Sequence, residues 1–242
     1  MEKNLDKNNL PKHVSVIMDG NGRWAKKQGA ARVFGHKNAI KAVRETVEGC
    51  AELGISHLSL YAFSTENWGR PKKEVDALMQ LLVSTIKGEM KTLMKNDVRL
   101  SSIGDIENLP SKCYNELKIA KEQTAQNKGL NLILALNYSG KWDIIQACRK
   151  ALVACKEEGL SEEELTYSKL ENFLSTTNIP DPELLIRTSG EFRVSNFMLW
   201  QLAYTEIFIT EVLWPDFRKE HLINALSNYQ TRERRFGKVI SE

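Results

Sequence analysis

The sequence predicts an α/β fold: a single domain with a mainly parallel central sheet of about six strands flanked by helices. Three observations carry this. Short apolar runs alternate with longer amphipathic stretches along the whole chain. The length, 242 residues, suits one sizeable core. No repeat, low-complexity tract or long linker breaks the alternation. The domain is expected to span 1–242, with 1–12 a flexible tail.

Taken in order, "HVSVIM" (13–18) reads as the first strand and 36–53 as the first helix. In that helix Ala39, Val43, Val47, Cys50 and Ala51 share one face, and Gly54 ends it. "HLSLYAFS" (57–64) is the second strand, 73–95 the next helix, "VRLSSIG" (98–104) the third strand and 111–128 the helix after it. "LNLILALNYS" (130–139) and a helix over 141–158 follow. "EEGLSEEE" (157–164) and "TTNIPDPE" (176–183) are surface loops. "ELLIRT" (183–188) and "EIFITEVLW" (206–214) are the last strands; a helix over 215–236 starts just after Pro215, with Asp216 in its first turn.

Hydrophobic residues make up 42% and charged residues 27%, and the net charge of +3 comes without a basic block, which argues against nucleic acid as a partner. Four scattered cysteines with no C-x-x-C pair read as buried free thiols of a reducing compartment. The opening "MEKNLDKNNLPK" has no apolar leader, and no apolar run reaches the ~18–20 residues of a membrane span. The expected location is the cytoplasm, with peripheral contact at the inner face of the plasma membrane left open.

In open α/β sheets ligands sit beyond the carboxyl ends of the strands, and the unusual polar residues fall there. Asp19-Gly20-Asn21-Gly22-Arg23-Trp24 follows the first strand. Bare glycines let backbone N–H groups approach phosphate, and an arginine fork binds it in pairs; an acid beside it implies an intervening divalent cation. A tight turn with a merely geometric Asn-Gly is the alternative. The stretch also fits the dinucleotide fingerprint G-x-G-x-x-A. That fingerprint needs a helix to start there, which Gly29 and Gly35 should prevent, and an acid ~20 residues on at the end of the second strand, whereas Glu66 lies more than forty residues after Gly20.

Ser64-Thr65-Glu66-Asn67-Trp68-Gly69-Arg70 follows the second strand, as a binding loop or a capped connection. Arg187, Arg193 and Ser195 are spaced to converge on one anion, or to pair with neighbouring acids on a surface loop. Glu206 opens an apolar strand, as a ligand or a strand-end residue facing water, and His36 opens a helix, as a neutral donor to phosphate or an ordinary helix-terminal surface histidine. No His/Cys spacing suggests zinc and no G-x-S-x-G elbow suggests a hydrolase. Together the five arginines, including Arg32, and the acids Asp19 and Glu206 describe a site for two diphosphates and a divalent metal.

With these residues assembled, the chain resembles the cis-prenyltransferases, the bacterial undecaprenyl diphosphate synthases in particular. The matching stretches are "HVSVIMDGNGRWAK", "GH" at 35–36, "LSLYAFSTENWGRP", "LNLILALNYSGKWDI", "LLIRTSGEFRVSNFMLWQLAYTEIFIT", "LWPDF" and "RERRFG" at 232–237. The resemblance implies a homodimer that uses Mg²⁺ to add isopentenyl diphosphate repeatedly, in cis, onto farnesyl diphosphate, giving undecaprenyl diphosphate, the lipid-carrier precursor for peptidoglycan. It makes Asp19 the essential acid for metal and diphosphate and Glu206 the other metal position. Gly20, Asn21, Gly22, Arg23, Arg32 and His36 become the allylic pocket, with Trp24 beside it. Ser64, Thr65, Glu66, Asn67, Trp68 and Arg70 form the second loop; Arg187, Arg193, Val194 and Ser195 form the isopentenyl diphosphate site. Asn67 is the family's proton-acceptor position, although an amide is a poor base and departing diphosphate or a held water suits the step better. The chain departs from the usual pattern at Ser189, commonly glycine, and Phe192, commonly glutamine.

A growing product needs a dry channel, for which helix 73–95 offers an uncharged stripe of Val75, Leu78, Met79, Leu82, Ile86, Met90 and Leu93, with small Ala62 and Ala135 leaving room in the sheet. An ordinary core face is the alternative. An accessory, non-enzymatic subunit would lack the Asp19 turn or the Arg193/Ser195 pair, and a nucleotide-dependent oxidoreductase would bind reduced cofactor. Release of so apolar a product implies transient contact with a membrane.

Overall fold

The apolar runs become β1 (His13–Ile17), β2 (His57–Ser64), β3 (Arg99–Ile103), β4 (Asn131–Tyr138), β5 (Leu184–Arg187) and β6 (Glu206–Ile209). They form one sheet in the order β3-β4-β2-β1-β5-β6, and every pairing is parallel. The computed structural model describes residues 5–159 and 162–234. Its principal helices are α1 (Asn21–Lys27), α2 (Arg32–Glu52), α3 (Lys72–Lys95), α4 (Ser111–Thr124), α5 (Gly140–Glu158), α6 (Tyr167–Glu171) and α7 (Lys219–Gln230).

The period of two along each strand sorts the core into two layers. Val14, Val16, Leu132, Leu134, Leu136, Leu184 and Ile186 face one side, where α2, α3, α4 and α7 cover them. Ile17, Ile133, Ala135 and Leu185 face the other, against Phe197, Met198 and Trp142 of α5. β1 and β4 are buried along their whole length, as strands covered on both faces must be. β1 has β2 on one side and β5 on the other. The winding therefore reverses at β1/β5, and the crevice beyond their carboxyl ends is the expected ligand position.

Several expectations need correcting. A helix does start in the glycine turn: α1 begins at Asn21, and α2 begins at Arg32 and runs through Gly35. Gly35 is the point of close approach between these helices, since a Cβ there would overlap the Asn21 carbonyl. The dinucleotide reading keeps only its second objection, the missing acid. β6 stops at Ile209, so Glu206 lies level with Leu184, at the amino end of the sheet. The last helix starts at Lys219, because Trp214–Asp216 forms a separate 3-10 turn and Arg218 is extended. Within residues 5–12 of the expected tail, Leu5 and Leu10 pack against the main core and Gln230 donates to the Asp6 and Asn9 carbonyls, while Asp6 to Asn9 are exposed. Cys50 and Cys113 are buried, but Cys148 and Cys155 are only partly so; all four are free.

His13 is fully buried in β1, its ring nitrogens 2.6 Å from the Pro180 carbonyl oxygen and 2.7 Å from Ser59 Oγ. Burial disfavours the imidazolium and outweighs the Pro180 carbonyl, lowering its pKa from 6.5 to about 4. A group depressed on folding stabilises the fold fully above its unfolded pKa and loses that contribution as pH falls through the folded one. Unfolding free energy should therefore drop by on the order of 3 kcal/mol between pH 7 and pH 4 on account of His13. Urea titrations across that range check this; a flat profile would contradict it.

Candidate active site

The polar loops meet beyond the carboxyl ends of β1, β2 and β5. Arg187, almost fully buried at the end of β5, donates from Nη2 to Asp19 Oδ2 at 2.9 Å and from Nη1 to Ser195 Oγ at 2.8 Å, and also bonds the Arg193 carbonyl. The Asp19 backbone is fastened by Thr188: its N–H donates to Thr188 Oγ1 at 2.9 Å, and that hydroxyl donates to the Asp19 carbonyl at 2.7 Å. Gly20 caps α1 at φ 106°, a left-handed position where a side chain would also press on Leu213 and Ser189. Burial pulls the Asp19 pKa up, but the bonds from Arg187 and from Gly20 N–H, with the charge of Arg23, hold it below the usual carboxylate value. It is ionised at neutral pH.

Three carboxylates hold the five arginines. Asp19 holds Arg187. Glu74, on α3, pairs with Arg70 at 3.1 Å and with Arg32 at 3.5 Å. Glu191 pairs with Arg23 at 3.1 Å and also with Arg193. Sequence reading found the cations and missed Thr188, Glu74 and Glu191. Glu74 sits in a helix with many charges, and Glu191 in a loop whose geometry the sequence does not show.

His36 lies next to this group, its Nδ1 3.4 Å from Asn21 Nδ2. Burial and then the charge of Arg70, partly offset by Glu74 and reinforced by Arg32, lower its pKa to about 4. The imidazole is neutral at pH 7 and can donate one hydrogen bond to an anion without adding charge.

In the second loop, Asn67 Oδ1 accepts from Ser64 N–H at 3.2 Å while Ser64 caps the Asn67 N–H. That bond uses one lone pair of the amide oxygen, and Asn67, which lines the site, can also offer N–H donors to it. Glu66 accepts from Asn196 at 2.6 Å and from Thr65 at 3.2 Å, tying this loop to the one after β5. Trp68 donates to Asn137 Oδ1 at 2.8 Å, and Trp24 donates to Asp216 at 2.9 Å while stacking on Phe34. Both indoles brace the loops; neither lines the cavity described next. Val194 packs on the core layer beneath β5. Glu206 does not join the site: from the register it sits about 10 Å down the sheet from Arg187, bound to Arg232 at 2.7 Å.

A cavity of about 410 Å³ opens at this polar mouth, which Asp19, Asn21, His36, Asn67, Arg70 and Arg187 line. It runs between α2, α3 and the sheet, past Val43, Leu82, Ile86, Leu93, Leu100 and Leu132. The α3 stripe takes part as expected through Leu78, Met79, Leu82, Ile86 and Leu93, whereas Val75 and Met90 stay outside. Ala62 lines it; Ala135 does not, because it faces the other layer. The wall is not free of charge. Arg44 of α2 and Glu89 of α3 both line it and form a two-bond pair, with Nε to Oε2 at 2.9 Å.

Among the described residues no three His, Cys, Asp or Glu side chains cluster closely enough to hold a metal alone. The donor set at the mouth is one ionised carboxylate, Asp19, facing a space ringed by arginines. That fits a hard cation held by one carboxylate and by substrate phosphate oxygens rather than a preformed protein cage.

The family model described as "Putative undecaprenyl diphosphate synthase" matches residues 17–237. The chain belongs to this prenyltransferase family. It is accordingly an isoprenyl transferase. A prenyltransferase relative, the isoprenyl transferase of Chlorobaculum tepidum, is 50% identical over 95% of this chain and 87% of its own. The ditrans,polycis-undecaprenyl-diphosphate synthase ((2E,6E)-farnesyl-diphosphate specific) of Pasteurella multocida is 48% identical over 96% of this chain and 97% of its own. The structure of lavandulyl diphosphate synthase from Lavandula x intermedia, in complex with dimethylallyl diphosphate, superposes with a TM-score of 0.93 at 36% identity, covering 96% of this chain and all of that one (100%). A probable undecaprenyl diphosphate synthase from Campylobacter jejuni gives 0.79 at 34% identity, covering 95% and 100%.

Proposed function

We propose that this prenyltransferase adds isopentenyl diphosphate repeatedly, in cis, onto farnesyl diphosphate, with Mg²⁺, to give undecaprenyl diphosphate, the lipid-carrier precursor for peptidoglycan. The observation that carries this is the junction of the polar mouth with the apolar cavity: a diphosphate held at Asp19, His36 and Arg70 points its hydrocarbon between α2 and α3.

In this reading Asp19 and the substrate phosphates hold Mg²⁺. The ion, when bound, helps neutralise charge on the departing diphosphate. Arg23, Arg32, Arg70 and neutral His36 receive the allylic diphosphate, with the backbone of Gly20, Asn21 and Gly22 beneath it; bare Gly22 leaves room for Arg32, whose Nε would lie 2.8 Å from a Cβ there. Arg187, Arg193 and Ser195 receive isopentenyl diphosphate. The allylic C1–O bond breaks, the isopentenyl double bond attacks C1, and a proton leaves the new chain. The Asn67 N–H groups orient a water or a diphosphate oxygen that takes this proton; the amide itself is no base. Incorporation of labelled isopentenyl diphosphate, with product length by chromatography, tests the whole reading: no chain extension from farnesyl diphosphate would end it.

Arg193→Ala should raise KM for isopentenyl diphosphate about tenfold or more and change that for farnesyl diphosphate far less, as the loss of a paired phosphate contact of roughly 1.5–3 kcal/mol requires. Equal rises in both constants would refute the division of the mouth into two subsites.

The "RRFG" ending (234–237) includes Arg234, which binds Glu183, while 235–237 lie outside the described residues. The reading includes a homodimer in which this ending serves the neighbouring subunit's site; a fully active monomer by light scattering contradicts it. Among the described residues no helix is long and apolar enough to cross a membrane. At ~0.8 kcal/mol per buried CH₂ the product nevertheless favours a bilayer over water. Peripheral contact at the inner face of the plasma membrane would relieve slow release, so vesicles or detergent should quicken steady-state turnover after an initial burst. Linear kinetics unaffected by either would exclude release as the slow step.

A further inference from the structure

Ser189 occupies a conformation that serine seldom takes. Its φ is +76°, followed by Gly190 at +75°. Backbone bonds hold both residues there, Ser189 N–H to the Val212 carbonyl and Gly190 N–H to the Thr210 carbonyl, each at 2.9 Å. Glycine would adopt this turn without strain, whereas a residue with a Cβ does so at a cost. Strain that persists at a buried position beside a reaction site points to a use for the side chain. Here the side chain is buried, and its Oγ accepts a hydrogen bond from Arg23 Nη2. Among the described residues the other partners of Arg23 are carboxylates, Glu191 at 3.1 Å and Asp19 at 3.9 Å, and its side chain is 48% exposed. Without the hydroxyl, nothing neutral draws the guanidinium inward, and Glu191 pulls it toward the loop and away from Asp19.

We infer that Ser189 is a positioning residue: its hydroxyl fixes the Arg23 guanidinium beside Asp19, in place to receive the diphosphate of the allylic substrate. The inference rests on Arg23 belonging to that subsite. The backbone strain is the consequence of placing a hydroxyl at a turn suited to glycine.

Three variants separate the hydroxyl from the strain. Ser189→Gly removes both. Ser189→Ala removes the hydroxyl and keeps the strain. Ser189→Asn tolerates the left-handed backbone and offers an amide oxygen as acceptor. The Kd of inorganic diphosphate, titrated calorimetrically in Mg²⁺, and the KM of farnesyl diphosphate should rise roughly three- to tenfold in both the Gly and Ala variants. The KM of isopentenyl diphosphate should stay within about twofold, and Asn should restore most of the loss. Melting temperature should follow the other pattern, lower for Ala than for Gly. The inference is overturned if the Gly variant binds diphosphate as the wild type does, or if the binding losses follow melting temperature instead of the hydroxyl. The titration needs no turnover. A wild type that binds diphosphate with the expected split among variants but extends no prenyl chain defeats the proposed function and leaves the anchor standing; chain extension with no split does the reverse.

Discussion

Asp19→Ala leaves the chain folded and lowers prenyl transfer by about a thousandfold or more. The two parts have different causes. In the fold, the carboxylate is partly exposed and its partner Arg187 keeps Ser195 and the Arg193 carbonyl, so the loss is roughly 1–2 kcal/mol. The Asp19 backbone stays fastened to Thr188, which does not need the side chain. In the reaction, removing one preorganised group that stabilises developing charge typically costs about 10²–10³ in rate, and loss of the proposed Mg²⁺ position adds to it. The check is the initial rate of labelled isopentenyl diphosphate incorporation at saturating Mg²⁺, alongside a thermal melt. A variant keeping a tenth or more of the wild-type rate (about 1.4 kcal/mol) removes Asp19 from the chemistry.

Arg187→Ala damages both fold and activity. The guanidinium is 3% exposed and joins the Asp19 turn to the loop that carries Arg193 and Ser195. Its removal strands a half-buried carboxylate and the Arg193 carbonyl. Breaking a buried pair costs about 3–5 kcal/mol, and the partial exposure of Asp19 brings the expectation down to roughly 2–3 kcal/mol. The Asp19 pKa should rise as well, because Arg187 is the largest of the influences that lower it. Arg187→Lys should restore little, since an ammonium cannot make three directed contacts to three different acceptors in a plane. Urea unfolding and the pH dependence of turnover read the two effects separately; wild-type stability in the Ala variant would show that the pair contributes nothing to the fold.

Much of this site was legible in the chain. Parallel strands buried on both faces read as apolar runs, and their carboxyl ends are where α/β sheets bind ligands, so Asp19, Ser64 to Arg70 and Arg187 to Ser195 could be placed together before any contact was known. The apolar stripe of α3 was visible for the same kind of reason, a period of 3.6. What failed was whatever depends on which end of a strand a residue occupies or on what crosses from another element. Glu206 reads like a strand-associated ligand, yet the sheet register puts it at the amino end with Arg232. Gly35 reads like a helix breaker, yet α2 continues through it, and the glycine is there because α1 packs too closely for a side chain.

By itself, then, the sequence determined the layer architecture, the polar loops and the chemistry they suit, because these follow from periodicity and residue type within a few neighbours. Only the tertiary structure decided which carboxylate holds which arginine, that the Asn67 oxygen accepts from Ser64, that α2 and the Arg44–Glu89 pair complete the cavity, and that Ser189 takes a strained φ while accepting from Arg23. Each of these depends on atoms brought within a few ångströms from distant parts of the chain, and local pattern carries no record of such distances.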